Sequence, residues 1–139
     1  MLSLLFCPDT TELRRVRAEI RAWAIEQDVA EWPLTLIATE LAANAITAAA
    51  GGQPVEVTIE VAGGQVAVAV IDCGRGFGGP GRSRTAGRSL PSPSQPRGRG
   101  LFLVRQLATD LRIERRSGRT VVSARLPAEG SNPTGRFAP

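Results

Sequence analysis

The sequence predicts an α/β protein, an α+β sandwich of two layers in which a mixed, mainly antiparallel sheet is covered on one face by three helices. The pattern along the chain runs strand, two helices, two strands, a long Gly/Pro/Ser/Arg segment, a helix and two more strands. Each of the two later strand pairs is joined by a short glycine-containing turn, which favours antiparallel neighbours. With 139 residues, 42% of them hydrophobic, the chain is long enough for one core.

The first part of the chain predicts a short strand over residues 2–6, followed by a helix that ends near Gln27. Asp9 is a suitable helix cap, and Glu12 stands three residues later, the spacing of a capping box. The apolar residues that follow keep the helical period and should face the core, namely Leu13, Val16, Ile20, Trp23 and Ala24.

A second helix is predicted from Pro33 to about Ala49. Proline is favoured in a first helical turn because its missing N–H would be unpaired there in any case, and Gly51-Gly52 provides the stop. The residues expected to face inward are Leu34, Ile37, Leu41 and Ala45.

Two hairpins are predicted next to the long polar segment. Residues 55–61 and 66–72 alternate in polarity and are joined at Gly63-Gly64, while residues 111–116 and 120–126 are joined through Ser117-Gly118. Residues 78–98, rich in Gly, Pro, Ser and Arg, cannot bury enough surface to form a core of their own, and a third helix follows from residue 101 to about 109. We therefore expect one domain over residues 1–127 and a flexible tail over residues 128–139.

The composition excludes several kinds of site. The chain has no His and no Lys, since all 17 basic residues are Arg, which excludes histidine bases, imidazole metal sites and a Walker A lysine. Carboxylate, amide and guanidinium chemistry is left, and it suits metal-assisted work on phosphates. Two cysteines and no apolar segment long enough for a membrane span predict a cytoplasmic protein without a signal peptide or membrane anchor.

Charge is distributed unevenly. Residues 1–74 carry a net charge of −6 and residues 75–139 a net charge of +10. A strongly basic half indicates an anionic partner, which could be nucleic acid, the phosphates of a nucleotide or an acidic protein.

The first motif is Asp72-Cys-Gly-Arg-Gly76. Asp72 keeps the two-residue period of the valines before it, so its carboxylate should point to the core side of the strand. A buried carboxylate needs a partner, and the amino group of a ligand is one candidate. Gly74 and Gly76 would let the backbone pass close to that ligand. A plain strand end with an Asp-Gly turn is the alternative.

The second motif lies on the second predicted helix. Glu40 and Asn44 are four residues apart, so they share a helix face at the edge of the apolar stripe. An amide oxygen can ligate Mg²⁺ and a carboxylate can accept a proton or hold a water. The alternative is a solvated helix flank with no function.

The third motif, Gly98-Arg99-Gly100-Leu101, stands at the start of the third predicted helix. The unpaired N–H groups and the positive dipole end of a helix attract phosphate, and the glycines permit close approach. A glycine-rich helix start with no ligand would have the same sequence.

Together the three motifs resemble, in order and spacing, the asparagine box and the two glycine boxes of the GHKL ATPase superfamily. The chain is most similar to the small anti-sigma-factor serine kinases of bacterial partner-switching systems. The resemblance extends over residues 9–126 and includes Thr120, which stands where that family usually has a threonine near the adenine.

The resemblance implies a Bergerat ATP-binding fold with ATP and Mg²⁺ as its cofactors. It implies that Asp72 binds the adenine amino group with Gly74 and Gly76 beside the base, that Asn44 ligates Mg²⁺, and that Glu40 is the base that activates the attacking hydroxyl. Residues 78–98 would form the ATP lid. The residues that the resemblance places at the phosphates are Gly98, Arg99, Gly100 and Leu101.

The resemblance also implies partners. The phosphoacceptor would be a serine of an anti-sigma-factor antagonist, the kinase would alternately hold a sigma factor, and many such proteins are homodimers. The chain departs from the family at Ala48, where a histidine is frequent, and at Cys73, where a polar residue is common. Neither position is needed for the metal or base roles.

Three hypotheses stay open on the sequence. The first is a serine kinase that is also an anti-sigma factor, and the second is an ATP-gated binding module without phosphotransfer. The third is a nucleic-acid-binding domain that uses the basic half, which is disfavoured because the few aromatic residues are not interleaved with the arginines. A sensor histidine kinase is disfavoured because the chain has no phosphoacceptor histidine.

Overall fold

A five-stranded sheet forms one layer of the protein. The computed structural model describes residues 1–49, 52–72 and 98–129, with the backbone alone for residues 98–100. The strand order is β1-β2-β3-β5-β4, and all four neighbouring pairs are antiparallel. The predicted α+β architecture with a mainly antiparallel sheet is confirmed, and no parallel pair occurs among the described strands. The strands are β1 (Leu2–Phe6), β2 (Val55–Ala62), β3 (Gln65–Asp72), β4 (Asp110–Arg116) and β5 (Arg119–Pro127).

Three helices within the described residues form the second layer, and the middle one makes the most extensive contacts. Helix α2 (Glu31–Ala48) packs against α1 (Leu13–Glu26), α3 (Gly98–Leu107) and strand β3. Alanines and β-branched residues let α2 lie close to its neighbours. The four residues expected to face inward, Leu34, Ile37, Leu41 and Ala45, are all buried.

The chain enters α1 through a short 3-10 turn rather than a capping box. Asp9 caps the turn Thr10–Glu12, and its Oδ1 accepts a hydrogen bond from the Thr11 N–H at 2.9 Å. Because that bond favours the charged carboxylate, it lowers the pKa of Asp9. Glu12 Oε1 instead accepts from Arg15 Nη2 at 2.8 Å, so the predicted reciprocal contact with Asp9 is replaced by a surface ion pair.

Both predicted hairpins are present, and their turns have the same geometry. Gly63 and Gly64 have φ angles of 60° and 77°, and Ser117 and Gly118 have φ angles of 50° and 79°. Two successive positive φ angles are typical of the type I′ turn, whose twist matches that of the strands. The turns therefore fix the pairing of β2 with β3 and of β4 with β5.

Ala128 belongs to the folded unit, although it is the first residue of the predicted tail. It is buried, its N–H donates to the Gly64 carbonyl at 2.9 Å, and its carbonyl accepts from the Ala30 N–H at 3.0 Å. Ala128 is therefore part of the folded unit rather than of the predicted tail, and residues 130–139 lie outside the described part of the chain. No helix within the described ranges is long and apolar enough to cross a membrane.

Candidate functional site

Asp72 is the last residue of β3, and its side chain lies on the face of the sheet that the helices cover. Val66, Val68, Val70 and Asp72 alternate with half-buried residues and are themselves buried. The exposed fraction of Asp72 is only 1%. The predicted core-side orientation of this carboxylate is therefore confirmed.

One row of side chains crosses the whole sheet at Asp72. Asp72 lies opposite Val55 on β2 and opposite Thr120 on β5. Val55 in turn lies opposite Phe6, and Thr120 opposite Arg115. Residues that are directly opposite in antiparallel strands project to the same face, so the row is apolar on β1 and β2 and polar on β3, β5 and β4.

Thr120 is buried, and it is hydrogen-bonded from the edge of the sheet. Its exposed fraction is 1%, and its Oγ1 accepts a hydrogen bond from Arg115 Nη1 at 3.0 Å. Arg115 was not among the residues singled out from the sequence. The turn at Ser117-Gly118 contains the signal that could have found it, since a two-residue turn places residues 115 and 120 opposite each other.

Glu40 and Asn44 stand one turn apart on α2, at the border of its buried stripe. Both residues are half-buried, whereas Leu41 beside them is fully buried. Asn44 Nδ2 is buried and makes no hydrogen bond within the described part of the chain. A buried amide without a partner is unfavourable, so this carboxamide is a candidate to hold a bound group.

The residues present fit a magnesium ion that is held together with phosphate oxygens. Among the described residues, no three carboxylates or cysteines cluster to form a metal site. Mg²⁺ is commonly bound by one or two protein oxygens together with the phosphates of its nucleotide. The Asn44 carboxamide can supply one such oxygen because no internal hydrogen bond of its Nδ2 fixes it.

Helix α3 begins at Gly98, earlier than the predicted start at residue 101. The motif Gly98-Arg99-Gly100-Leu101 is thus its first turn, whose N–H groups have no acceptor within the helix. Leu101 and Val104 are buried and anchor the helix on the core. The geometry of a helix N-terminus suits an anion such as phosphate.

The three sequence motifs lie on elements that meet at α2. The first motif is described only at Asp72. Helix α2 packs against both β3 and α3, so Asp72, the Glu40–Asn44 face and the first turn of α3 belong to one side of the molecule. Gly74, Gly76 and the predicted lid, up to the start of α3 at Gly98, lie outside the described residues.

The opposite face of the sheet has a shallow trough of about 270 Å³, but it carries no sequence motif. Four of its charged side chains form ion pairs, with Arg112 Nε 3.0 Å from Asp110 Oδ2 and Arg116 Nη2 2.7 Å from Glu114 Oε1. We place the candidate site on the helix-covered face, because the buried side chains of Asp72 and Thr120 and the buried Nδ2 of Asn44 lie there.

Comparison with solved structures shows the same fold. The RsbU and RsbW domains of Rv1364c from Mycobacterium tuberculosis match 93% of this chain with 21% identity and a TM-score of 0.61, and the chain spans only 34% of that protein's length. The histidine kinase domain of the blue-light activated kinase EL346 from Erythrobacter litoralis matches 90% of the chain and 63% of its own length, with 21% identity and a TM-score of 0.55. The histidine kinase AdeS from Acinetobacter baumannii, at 12% identity, has a TM-score of 0.52, over 92% of this chain and 68% of its own.

The sequence comparisons point to the same group of proteins. No curated protein gives a significant match. The family model for the histidine kinase-like ATPase domain matches residues 6–126, nearly the whole of the predicted domain. The chain belongs to the family of histidine kinase-like ATPase domains.

Proposed function

We propose that this chain is an ATP-dependent serine protein kinase that acts in the cytoplasm as an anti-sigma factor. The adenine amino group would donate a hydrogen bond to Asp72 beside Thr120, and the phosphates would lie at the N-terminus of α3. Asn44 would help to hold Mg²⁺, which would offset the negative charge of the phosphates. Membership of the family supports ATP binding. The buried polar pair of Asp72 and Thr120 supports a nucleobase at this end of β3.

The observation that carries the kinase activity is the position of Glu40, one helical turn before Asn44 on the half-buried face of α2. A carboxylate there can accept the proton of a serine hydroxyl while that oxygen attacks the γ-phosphorus. The new O–P bond forms as the bond to the β-phosphate oxygen breaks, so ADP leaves with the electron pair. The magnesium ion, when bound, neutralises the charge that develops on the phosphates.

The proposed partners are an anti-sigma-factor antagonist, which carries the acceptor serine, and a sigma factor, which binds alternately. The resemblance to small anti-sigma-factor kinases supports both, and a solved protein of the same fold carries an RsbW domain. A homodimer is part of the same proposal, and sedimentation of the purified chain tests it.

Two arginines of the basic half are paired with acidic residues, which counts against direct nucleic-acid binding. Arg112 and Arg116 are both engaged by acidic neighbours on the exposed face of the sheet. Such pairs leave less free positive charge for a phosphate backbone.

The test is a calorimetric titration with Mg·ATP, followed by single-turnover transfer of labelled γ-phosphate to candidate antagonists. We expect binding that depends on Mg²⁺ and label on an antagonist serine. Binding without transfer to any cognate antagonist would favour the non-catalytic ATP-gated module. Absence of ATP binding would refute the proposal altogether.

A further inference from the structure

A hydrogen bond across the β4–β5 hairpin connects Arg115 to Thr120, next to the candidate nucleobase site. Its Nη1 donates to Thr120 Oγ1 at 3.0 Å. The two residues lie directly opposite each other, and Thr120 lies opposite Asp72 on its other side. Arg115 itself is exposed on an edge strand, so it reaches a fully buried hydroxyl from solvent.

This bond determines how the Thr120 hydroxyl can interact with other groups. A threonine hydroxyl has one proton to donate and two lone pairs that accept, whereas an arginine can only donate. Arg115 therefore uses one lone pair of Thr120 and leaves its proton for another acceptor. A charged donor also polarises the hydroxyl and makes it a stronger donor in turn.

We propose that Arg115 is a positioning residue that determines base specificity, because it holds Thr120 as a hydrogen-bond donor next to the Asp72 acceptor. An acceptor beside a donor complements a purine whose exocyclic amino group neighbours an unprotonated ring nitrogen. Adenine has that pattern, since N1 and N7 flank its 6-amino group. Hypoxanthine and guanine present an oxygen at position 6, which mismatches the Asp72 acceptor, and a protonated N1, which also mismatches Thr120 where that side chain faces N1. The inference rests on the proposed ATP binding.

Deaza analogues test the donor role of Thr120 because each removes one ring nitrogen and keeps the amino group. Wild-type protein should bind either 1-deaza-ATP or 7-deaza-ATP roughly three- to tenfold more weakly than ATP, which is the effect of one hydrogen bond. In Arg115→Ala the affinity for ATP should fall by a similar factor. The affinity for the analogue that the wild type binds more weakly should stay constant. The ratio of the two affinities should thus approach one.

The ratio of the affinity for ATP to the affinity for the analogue distinguishes a positioning role of Arg115 from a general effect of its charge. Loss of a positive charge would weaken every nucleotide triphosphate by the same factor and leave the ratio unchanged. Arg115→Lys, which keeps one donor, should restore part of the ratio. Arg112→Ala is the matched control, since Arg112 is on the same strand, faces the other side of the sheet and pairs with Asp110; it should behave as wild type.

A double-mutant cycle tests whether Arg115 acts through Thr120. In a Thr120→Val background, Arg115→Ala should cause no further loss of ATP affinity. An additive further loss, or an unchanged analogue ratio in Arg115→Ala, would overturn the inference.

A measurement without nucleotide tests the positioning of Thr120 separately from ATP binding. Three-bond couplings to the Thr120 methyl group report its χ1 rotamer in the free protein. Arg115→Ala should convert a single rotamer into an average, and an unchanged single rotamer would refute the positioning role. If the wild type binds no ATP, the proposed function and the base-specificity role of Arg115 both fail, and these couplings still decide whether Arg115 positions Thr120.

Discussion

Asp72 and Thr120 lie directly opposite each other on neighbouring antiparallel strands, and each has an exposed fraction of only 1%. Side chains in such a pair have Cβ atoms roughly 5 Å apart, so a carboxylate and a hydroxyl can contact one small ligand together. The pair is the last one of the β3–β5 ladder and follows a row of buried valines. The proposed adenine would offer complementary polar groups to both side chains.

Replacement of Asp72 by asparagine should weaken ATP binding about ten- to hundredfold, because one charged hydrogen bond contributes roughly 1.5–3 kcal/mol. Titration calorimetry of Asp72→Asn against wild type measures the change. Glu60→Gln removes an exposed acid from the opposite face of the sheet and should bind ATP normally. Equal ATP affinity in wild type and Asp72→Asn would show that Asp72 does not contact the base.

The local pairings of the fold could be predicted from the sequence because turn residues determine them. Gly63-Gly64 alone places Val55 opposite Asp72, and this pairing is present. The alternation of valines before Asp72 likewise predicted its burial. Each of these inferences used residues that are close in the chain, where turn chemistry and periodicity are sufficient.

The pairing of β3 with β5 could not be predicted in the same way. Asp72 and Thr120 pair through the ladder of β3 with β5, strands that are far apart in the chain, and no local turn specifies that register. Helix α3 also begins three residues earlier than its apolar pattern indicated, since glycine lowers helix propensity but does not prevent a first turn. The resemblance, rather than periodicity, had drawn attention to Thr120.

Replacement of Asn44 by alanine should reduce the dependence of ATP binding on Mg²⁺ without loss of stability. The change removes the oxygen proposed to ligate the metal, so ATP affinity in Mg²⁺ should fall toward the value measured with EDTA. It also removes a buried Nδ2 that has no hydrogen bond within the described residues, so the melting temperature should be unchanged or higher. Thr47→Ala, at an exposed position on the same helix, is the control. A lower melting temperature would indicate that Asn44 has a structural role.

The β4–β5 turn offers a test of stability that is separate from the site. Ser117 has a φ of 50°, which serine tolerates poorly, whereas asparagine adopts it more easily. Ser117→Asn should raise the free energy of unfolding by up to about 1 kcal/mol, and Gly118→Ala, at a φ of 79°, should lower it by a similar or larger amount. Urea titrations measure both. A destabilised Ser117→Asn would contradict the type I′ assignment.

The cap of the first helical turn predicts a dependence of stability on pH. The Thr11 N–H lowers the pKa of Asp9 below its ordinary value of 3.8, so the stabilisation is fully present above that value and is lost as the pH falls through the lowered pKa. The deficit in melting temperature of Asp9→Ala should therefore be equal at pH 7 and pH 5 and smaller at pH 3. A deficit that already shrinks between pH 7 and pH 5 would point to another titrating group.

Glu40→Gln distinguishes a kinase from a passive nucleotide switch. Glutamine preserves the shape of the side chain and leaves Asn44 in place, so ATP affinity should stay within a fewfold of wild type. A carboxamide cannot accept the proton of the attacking hydroxyl, so the rate of transfer to an antagonist serine should fall by ~10²–10⁴. Glu19→Gln, on the exposed face of α1, provides the control for loss of one negative charge. Single-turnover rates with labelled ATP, measured beside ATP affinity, separate the two effects. A transfer rate in Glu40→Gln equal to that of wild type would exclude Glu40 as the general base and place the proton acceptor elsewhere.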